Sequence, residues 1–283
     1  MLKRDLEVLI LILGVTGSGW LLGSPVESAP AKVQRLKIVD RSIQFHGGQR
    51  YSHSETSLQV CSRSGCFWVS ARIDGGLYEL EAAGEVRGVK RRVRATNDSL
   101  RWWKDGALVP TDRERRRALR DWVMARVYYC FLPFRLNDES VFKENLGIEV
   151  WDGRPLYKVK VTFAAGSSSD ANDEYLFWFD PESGRVEQFA YSFSGSPGGL
   201  RFRRAFNYRR VGGILFFDQE NWGVDAPDLS IDQIDAEFVR SLARVSTVEL
   251  ADIQVEPLAD RVILEPGQAD HRAPDPPPRP SLP

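Results

Sequence analysis

Histidine, methionine and cysteine are scarce in this chain of 283 residues, with 3, 2 and 3 of each. Its cysteines and histidines form no second pair at ligand spacing, so no structural zinc site and no cofactor are expected. No G-x-S-x-G element occurs, which removes one familiar nucleophile elbow. A Ser-His-Asp set assembled from distant positions needs no such motif and stays open. Strand-like and helix-like segments do not alternate, so a parallel α/β sheet is not expected. No repeat with a period of roughly 20–50 residues is present. The net charge is only -1, which leaves no overall pull toward nucleic acid or anionic membranes. The one long apolar run, "VLILILGVTGSGWLLG", is broken by Gly, Thr and Ser. It falls short of the roughly 20 apolar residues of a spanning helix.

What is present begins with that run. Lys3 and Arg4 precede it, with Asp5 and Glu7 among the early residues, and "SAPA" follows it. A basic start, an apolar stretch and a small-residue exit resemble a secretory signal peptide. Residues 1–31 are therefore assigned as a signal peptide or, alternatively, an uncleaved N-terminal anchor, which would be the only membrane contact. The expected location is the periplasm or cell envelope. Cysteine usage agrees with export. "VCSRSGCFW" sets Cys61 and Cys66 at the end of a two-stranded segment, where directly opposed residues bring their Cβ atoms within bridging distance. An oxidising compartment would close the disulfide, whereas in the cytosol the same residues would be two thiols. Cys130 reads as a small buried apolar residue.

Residues 32–256 read as a single domain and 257–283, rich in proline, as a disordered tail. Within the domain, Leu36, Val39 and Ile43 recur at helical spacing, and Gly47 and Gly48 supply the stop. A longer helix is expected through "TDRERRRALRDWVMARVYYC", with Leu119, Val123, Val127 and Cys130 inward and Thr111 and Glu114 as a capping box. "SIDQIDAEFVRSL" predicts a third helix, with Ser230 and Gln233 as its capping box. Nearly everything else reads as short strands punctuated by "DGG", "KDG", "DGRP", "DPESG" and "VGG", the pattern of an antiparallel meander. The fold class is α+β. A sheet of about ten strands or more must curl or split, which predicts a large unclosed half-barrel with about three helices on its concave side.

The hairpin "YLFWFDPESGRVEQFAYSF" crowds aromatic residues on both faces, so neither face is simply solvent. A four-residue loop would oppose Asp180 to Arg185 and place Trp178 on one face with Phe189 and Tyr191, whereas a loop one residue longer or shorter would put Phe177 and Phe179 on that face. These three are the candidate lining of an apolar cavity. "RFRRAFNYRR" alternates, with Arg204 and Arg210 on the face of Phe202, Phe206 and Tyr208, and Arg201, Arg203, Asn207 and Arg209 opposite. Solvated strand faces are the plain reading of such stretches, and Arg204 and Arg210 are the candidates for an anionic group. His46 at a helix end suits a structural role, His53 has no acidic or thiol partner nearby in sequence, and His271 lies in the tail. Asp170, Asp173 and Glu174 read as a solvated loop without the spacing of a calcium hand.

The elements "IQFHGG", "LPFRLND", "LYKVKVTF", "DEYLFWFDPESGRVEQFAYSF", "GGLRFRRAFNYRRVGGILFFDQENW" and "RVSTVELADI" resemble a family of exported bacterial proteins that is a domain of unknown function. The strand-"DPESG"-strand element is similar to outer-membrane lipoprotein-sorting proteins of the LolA/LolB type. That second resemblance implies an open half-barrel with helices in its concavity and an apolar cavity for acyl chains. The expectation is a non-enzymatic exported protein that binds a lipid or other apolar ligand. An envelope interaction or scaffold protein with a filled core is the alternative, with an envelope protein as partner. A hydrolase is a third reading.

Overall fold

The structure is a computed structural model that describes residues 36–258, except 64, 75, 87, 165–172, 194–198 and 225–228. The signal or anchor assigned to 1–31, most of the tail, His271 and Asp170 lie outside the described residues. Among the described residues three α-helices form: α1 (Lys37–His46), α2 (Arg113–Cys130) and α3 (Ala236–Ser241). The strands are β1 (Ser54–Ser62), β2 (Gly65–Asp74), β3 (Leu77–Val86), β4 (Val89–Thr96), β5 (Leu100–Lys104) and β6 (Ala107–Leu108). After α2 come β7 (Val141–Trp151), β8 (Arg154–Phe163), β9 (Tyr175–Phe179), β10 (Val186–Phe193), β11 (Gly199–Val211), β12 (Ile214–Val224) and β13 (Ala243–Pro257). All thirteen make one antiparallel sheet in the order β6-β5-β4-β3-β2-β1-β13-β12-β11-β10-β9-β8-β7. The last strand thus lies in the middle, joining two meanders that sequence order alone would leave apart. Pro257, placed in the tail by composition, ends that strand, and the next residue, Leu258, donates its backbone N–H to the His53 carbonyl.

The sheet curls around α2. Arg115 near the start of that helix lies over the Trp102 ring of β5, while Tyr128 near its end meets Phe163 of β8. Those strands would stand almost 50 Å apart in a flat sheet. The two helical residues are separated by only about 20 Å. The result is an unclosed half-barrel. Leu119, Trp122, Val123, Val127 and Cys130 of α2 are buried against the inner faces of β1–β5. Ile38 and Val39 of α1 are buried against β8–β11. The third helix departs from expectation. With the short 3-10 turn before it, it sends Ile231, Ile234 and Val239 onto the opposite, outer face, against Trp178 and Phe202. Two helices therefore occupy the inner face and one the outer.

Local signals explain the ends. The cap of α2 is Asp112, whose carboxylate accepts the Arg115 N–H at 2.7 Å, rather than Thr111. The Ser230–Gln233 capping box forms as read, on the 3-10 turn. Cys61 and Cys66 are cross-strand partners and form a disulfide, with Cα atoms 4.1 Å apart. Gly184 takes φ +78°, and a Cβ there would stand 2.8 Å from the Ser42 backbone nitrogen of α1. The 180–185 turn is thus pressed onto α1, where Arg41 donates to the Pro181 and Glu182 carbonyls.

Candidate functional site

The hairpin of β9 and β10 decides which rings meet. Its loop is the expected one, since the Asp180 N–H donates to the Arg185 carbonyl at 2.9 Å. The charged pair that would accompany it does not form as read. Ser183 takes the Asp180 carboxylate, and Arg185 turns to Glu187 at 2.6 Å. One residue further on, β10 carries a bulge at Glu187, so Val186 opposes Phe179 but Gln188 opposes Trp178. An extra residue inverts the side-chain alternation beyond it. Phe189 and Tyr191 consequently share the inner face with Phe177 and Tyr175, not with Trp178. The three candidate lining residues are split: Phe189 and Tyr191 lie inside, Trp178 outside.

Outside, Trp178 is fully buried in an aromatic cluster that has half-buried Trp222 and Phe238 at its margin. Trp151 stacks on Phe202 at 5.4 Å and meets Trp178 edge-on at 5.2 Å, under the residues of α3. The Trp178 indole donates to Glu149 at 3.0 Å, and Lys158 pairs with the same carboxylate at 2.9 Å. Lys160 bridges Glu174 and Asp232. Arg204 faces the same side and reaches Asp152 at 3.7 Å. Arg210 is exposed, donates to the Phe45 and Gly213 carbonyls and lies over the Phe45 ring.

Inside, a lane of rings runs along β8–β10. Phe179, Phe177 and Tyr175 follow one another at 5.9 and 6.1 Å; Phe189 stacks on Phe177 and Tyr191 on Tyr175. Phe163 and Phe193 extend it at the strand ends. Phe177 and Phe189 are wholly buried, whereas Tyr175, Tyr191, Phe193 and Phe163 are only half-buried. The lane is dry at one end and opens at the other. Beside it, register places Arg203 of β11 next to Phe189 and across from Asn221 of β12, with Gln219 on the same side. Tyr129 of α2 donates to Gln219 and offers its ring to Arg203 at 5.4 Å. Burial pushes the Tyr129 hydroxyl above its usual range, so it stays neutral. Alternation in "RFRRAF" already set Arg203 opposite Arg204, but the sequence carries no sign of which of them is covered.

The two described histidines, His46 and His53, each bond to backbone. His46 is buried, and its Nε2 accepts the Val186 N–H at 3.1 Å, tying α1 to β10. Burial above all, then the charges of Arg210 and Arg185, lowers its pKa to about 3 against an opposing contribution from the Leu215 backbone. His53 bonds the Gln49 carbonyl. Among the described residues no cluster of three or more His, Cys, Asp or Glu could hold a metal ion, and no helix is long and apolar enough to cross a membrane.

Fold and lane together define an α+β half-barrel whose inner face carries a partly open aromatic row. The chain belongs to the DUF6503 family, a family of unknown function, whose model matches residues 89–245. No curated protein matches it. Among solved structures it is similar to a LolA superfamily protein from Nitrosomonas europaea, at 12% identity and a TM-score of 0.46, covering 79% of this chain and 93% of that one. It is also similar to a DUF1329 family protein from Desulfovibrio piger, at 11% identity and a TM-score of 0.44, covering 81% and 93%.

Proposed function

We propose that this protein is a non-enzymatic binding protein of the cell envelope that takes an apolar chain into the inner-face lane. The carrying observation is the gradient along one row of rings, from wholly buried Phe177 and Phe189 to half-buried Tyr175, Tyr191 and Phe193. Apolar and aromatic side chains that reach the surface at the end of such a row are what the mouth of a hydrocarbon site requires. The rings at the open end supply apolar area with few rotatable bonds, so little side-chain freedom is lost when a chain lies against them. The Cys61–Cys66 disulfide and the signal-like N-terminus support an extracytoplasmic setting.

The filled-core scaffold is the second reading, favoured by the complete burial of Phe177, Phe179 and Phe189. Native mass spectrometry of protein isolated from its own envelope separates the two, together with titration of a fluorescent fatty-acid probe. The binding reading expects a lipid adduct or saturable uptake of one probe per chain. Protein that carries no adduct and takes up no probe is a scaffold with a filled core.

A further inference from the structure

The inner face holds a buried cation with no counter-charge. Arg203 is 3% exposed. Its Nη2 donates to the Tyr191 hydroxyl at 3.1 Å, but Nε and Nη1 have no hydrogen-bond partner. None of the described carboxylates pairs with it; its other neighbours are the rings of Tyr129 and Tyr191, 5.4 and 5.8 Å from the guanidinium carbon. Directly across the ladder, Asn221 is equally buried and its Oδ1 lacks a partner. Its amide nitrogen meets the Ser246 hydroxyl, which can donate as well as accept, so the amide can be turned to present an N–H beside Arg203. The other buried cations each reach a backbone carbonyl: Lys143 those of Leu136 and Val141, Arg126 that of Trp122 and Arg201 that of Leu200.

A buried charge without a partner is costly, and tyrosine rings compensate it only in part. Nη2 keeps a second N–H beyond the one given to Tyr191, and paired with the N–H of Nε or Nη1 it makes two parallel donors that fit the two oxygens of a carboxylate or phosphate. We propose that Arg203, with Asn221 and the Tyr191 hydroxyl, receives the anionic head of the ligand whose apolar chain lies along Tyr175, Phe177, Phe189 and Tyr191. The ligand is then an anionic amphiphile. This rests on the binding reading above and names the chemical class it takes.

The test compares three ligands of one chain length, hexadecanoate, hexadecyl phosphate and hexadecanol, by displacement of a fluorescent probe from the full chain. Wild type is expected to bind the two anions at least about tenfold more tightly than the alcohol. Arg203→Met should remove that advantage and leave hexadecanol within about twofold of its wild-type affinity, while Arg203→Lys keeps part of it. Equal binding of acid and alcohol by wild type overturns the proposal and leaves the apolar lane standing. So does an equal loss of all three ligands in Arg203→Met. No binding of any of the three defeats both. If Arg203→Met does not fold, the wild-type comparison and Arg203→Lys decide. The sources of the anion are told apart by pH: hexadecanoate loses its advantage below about pH 5 as the carboxyl protonates, and the phosphate monoester does not.

Discussion

Both faces of β8–β11 bury aromatic rings, the inner face more of them, and the two are used differently. On the outer face, Trp151, Trp178 and Phe202 interlock under α3, and Lys158, Lys160 and Arg204 each have a carboxylate. On the inner face the rings stack in a row that grades from buried to half-open, and Arg203 beside them has none. Aromatic content therefore does not separate a core from a site. The separation lies in whether the charge beside the rings is matched by a carboxylate and whether the rings run in one continuous row. An outer face that is only core should lose stability, and nothing else, when its rings are cut; an inner face that is a site should lose binding out of proportion to stability.

Truncation of the outer cluster gives the largest expected effect. Trp178→Ala removes a fully buried ring in contact with Trp151 and Phe202 and leaves Glu149 without the indole N–H. The cost should be about 3–5 kcal/mol by chemical denaturation. Probe affinity per folded molecule should stay at the wild-type value. A variant that keeps its stability, or loses probe affinity while folded, would break the division between the faces.

The seam between α1 and β10 should respond to acid. His46 is held neutral when folded, with a pKa of about 3, but takes up a proton near its ordinary 6.5 when unfolded. The unfolded state then binds more protons throughout that interval. Stability accordingly falls as pH drops from 6.5 toward 3, with a slope approaching about 1.4 kcal/mol per pH unit. Denaturation midpoints between pH 6.5 and 5 isolate this group from ordinary carboxylates. His46→Gln should flatten that segment of the profile, and an unchanged slope in the variant would assign the acid response to other groups.

Smaller in stability but larger in function is Tyr191→Ala. The ring is half-buried at the open end of the lane, so its loss should cost about 1–2 kcal/mol. Fatty-acid probe binding should weaken by about tenfold or more, because the ring wall and the hydroxyl that meets Arg203 are both removed. Loss of stability without loss of binding would make Tyr191 a core residue like Trp178.

Much of this fold was legible in the sequence. Strand positions, the inward stripe of α2, the Ser230–Gln233 box and the Cys61–Cys66 pair follow from local periodicity and turn chemistry, which the structure keeps. Two features were not. The central place of β13 depends on pairing with β1, almost the whole domain away, and nothing local in "RVSTVELADIQV" encodes that partner. The assignment of rings to faces hinged on the one-residue bulge at Glu187, a position with no glycine to announce it. That residue alone moved Phe189 and Tyr191 away from Trp178. The unshifted β10–β11 register, which pairs Phe189 with Arg203, sets Arg203 rather than Arg204 or Arg210 beside them.

Arg203 and its neighbour Arg204 provide the smallest and sharpest contrast. They are adjacent in sequence, identical in chemistry and opposite in face. The Arg204 side chain is 41% exposed and its carboxylate partner Asp152 is 61% exposed, at a separation of 3.7 Å. Asp152 also has Arg240 at 3.3 Å, so it is not left alone when Arg204 goes. Ion pairs this open are screened by water and contribute little, so Arg204→Met should change stability by less than about 0.5 kcal/mol. It should leave fatty-acid binding untouched, because the sheet stands between it and the lane. If Arg204→Met weakened binding as Arg203→Met is expected to, the anion would be drawn by the summed positive charge of the strand. Raising the salt concentration would then abolish the effect of both substitutions together.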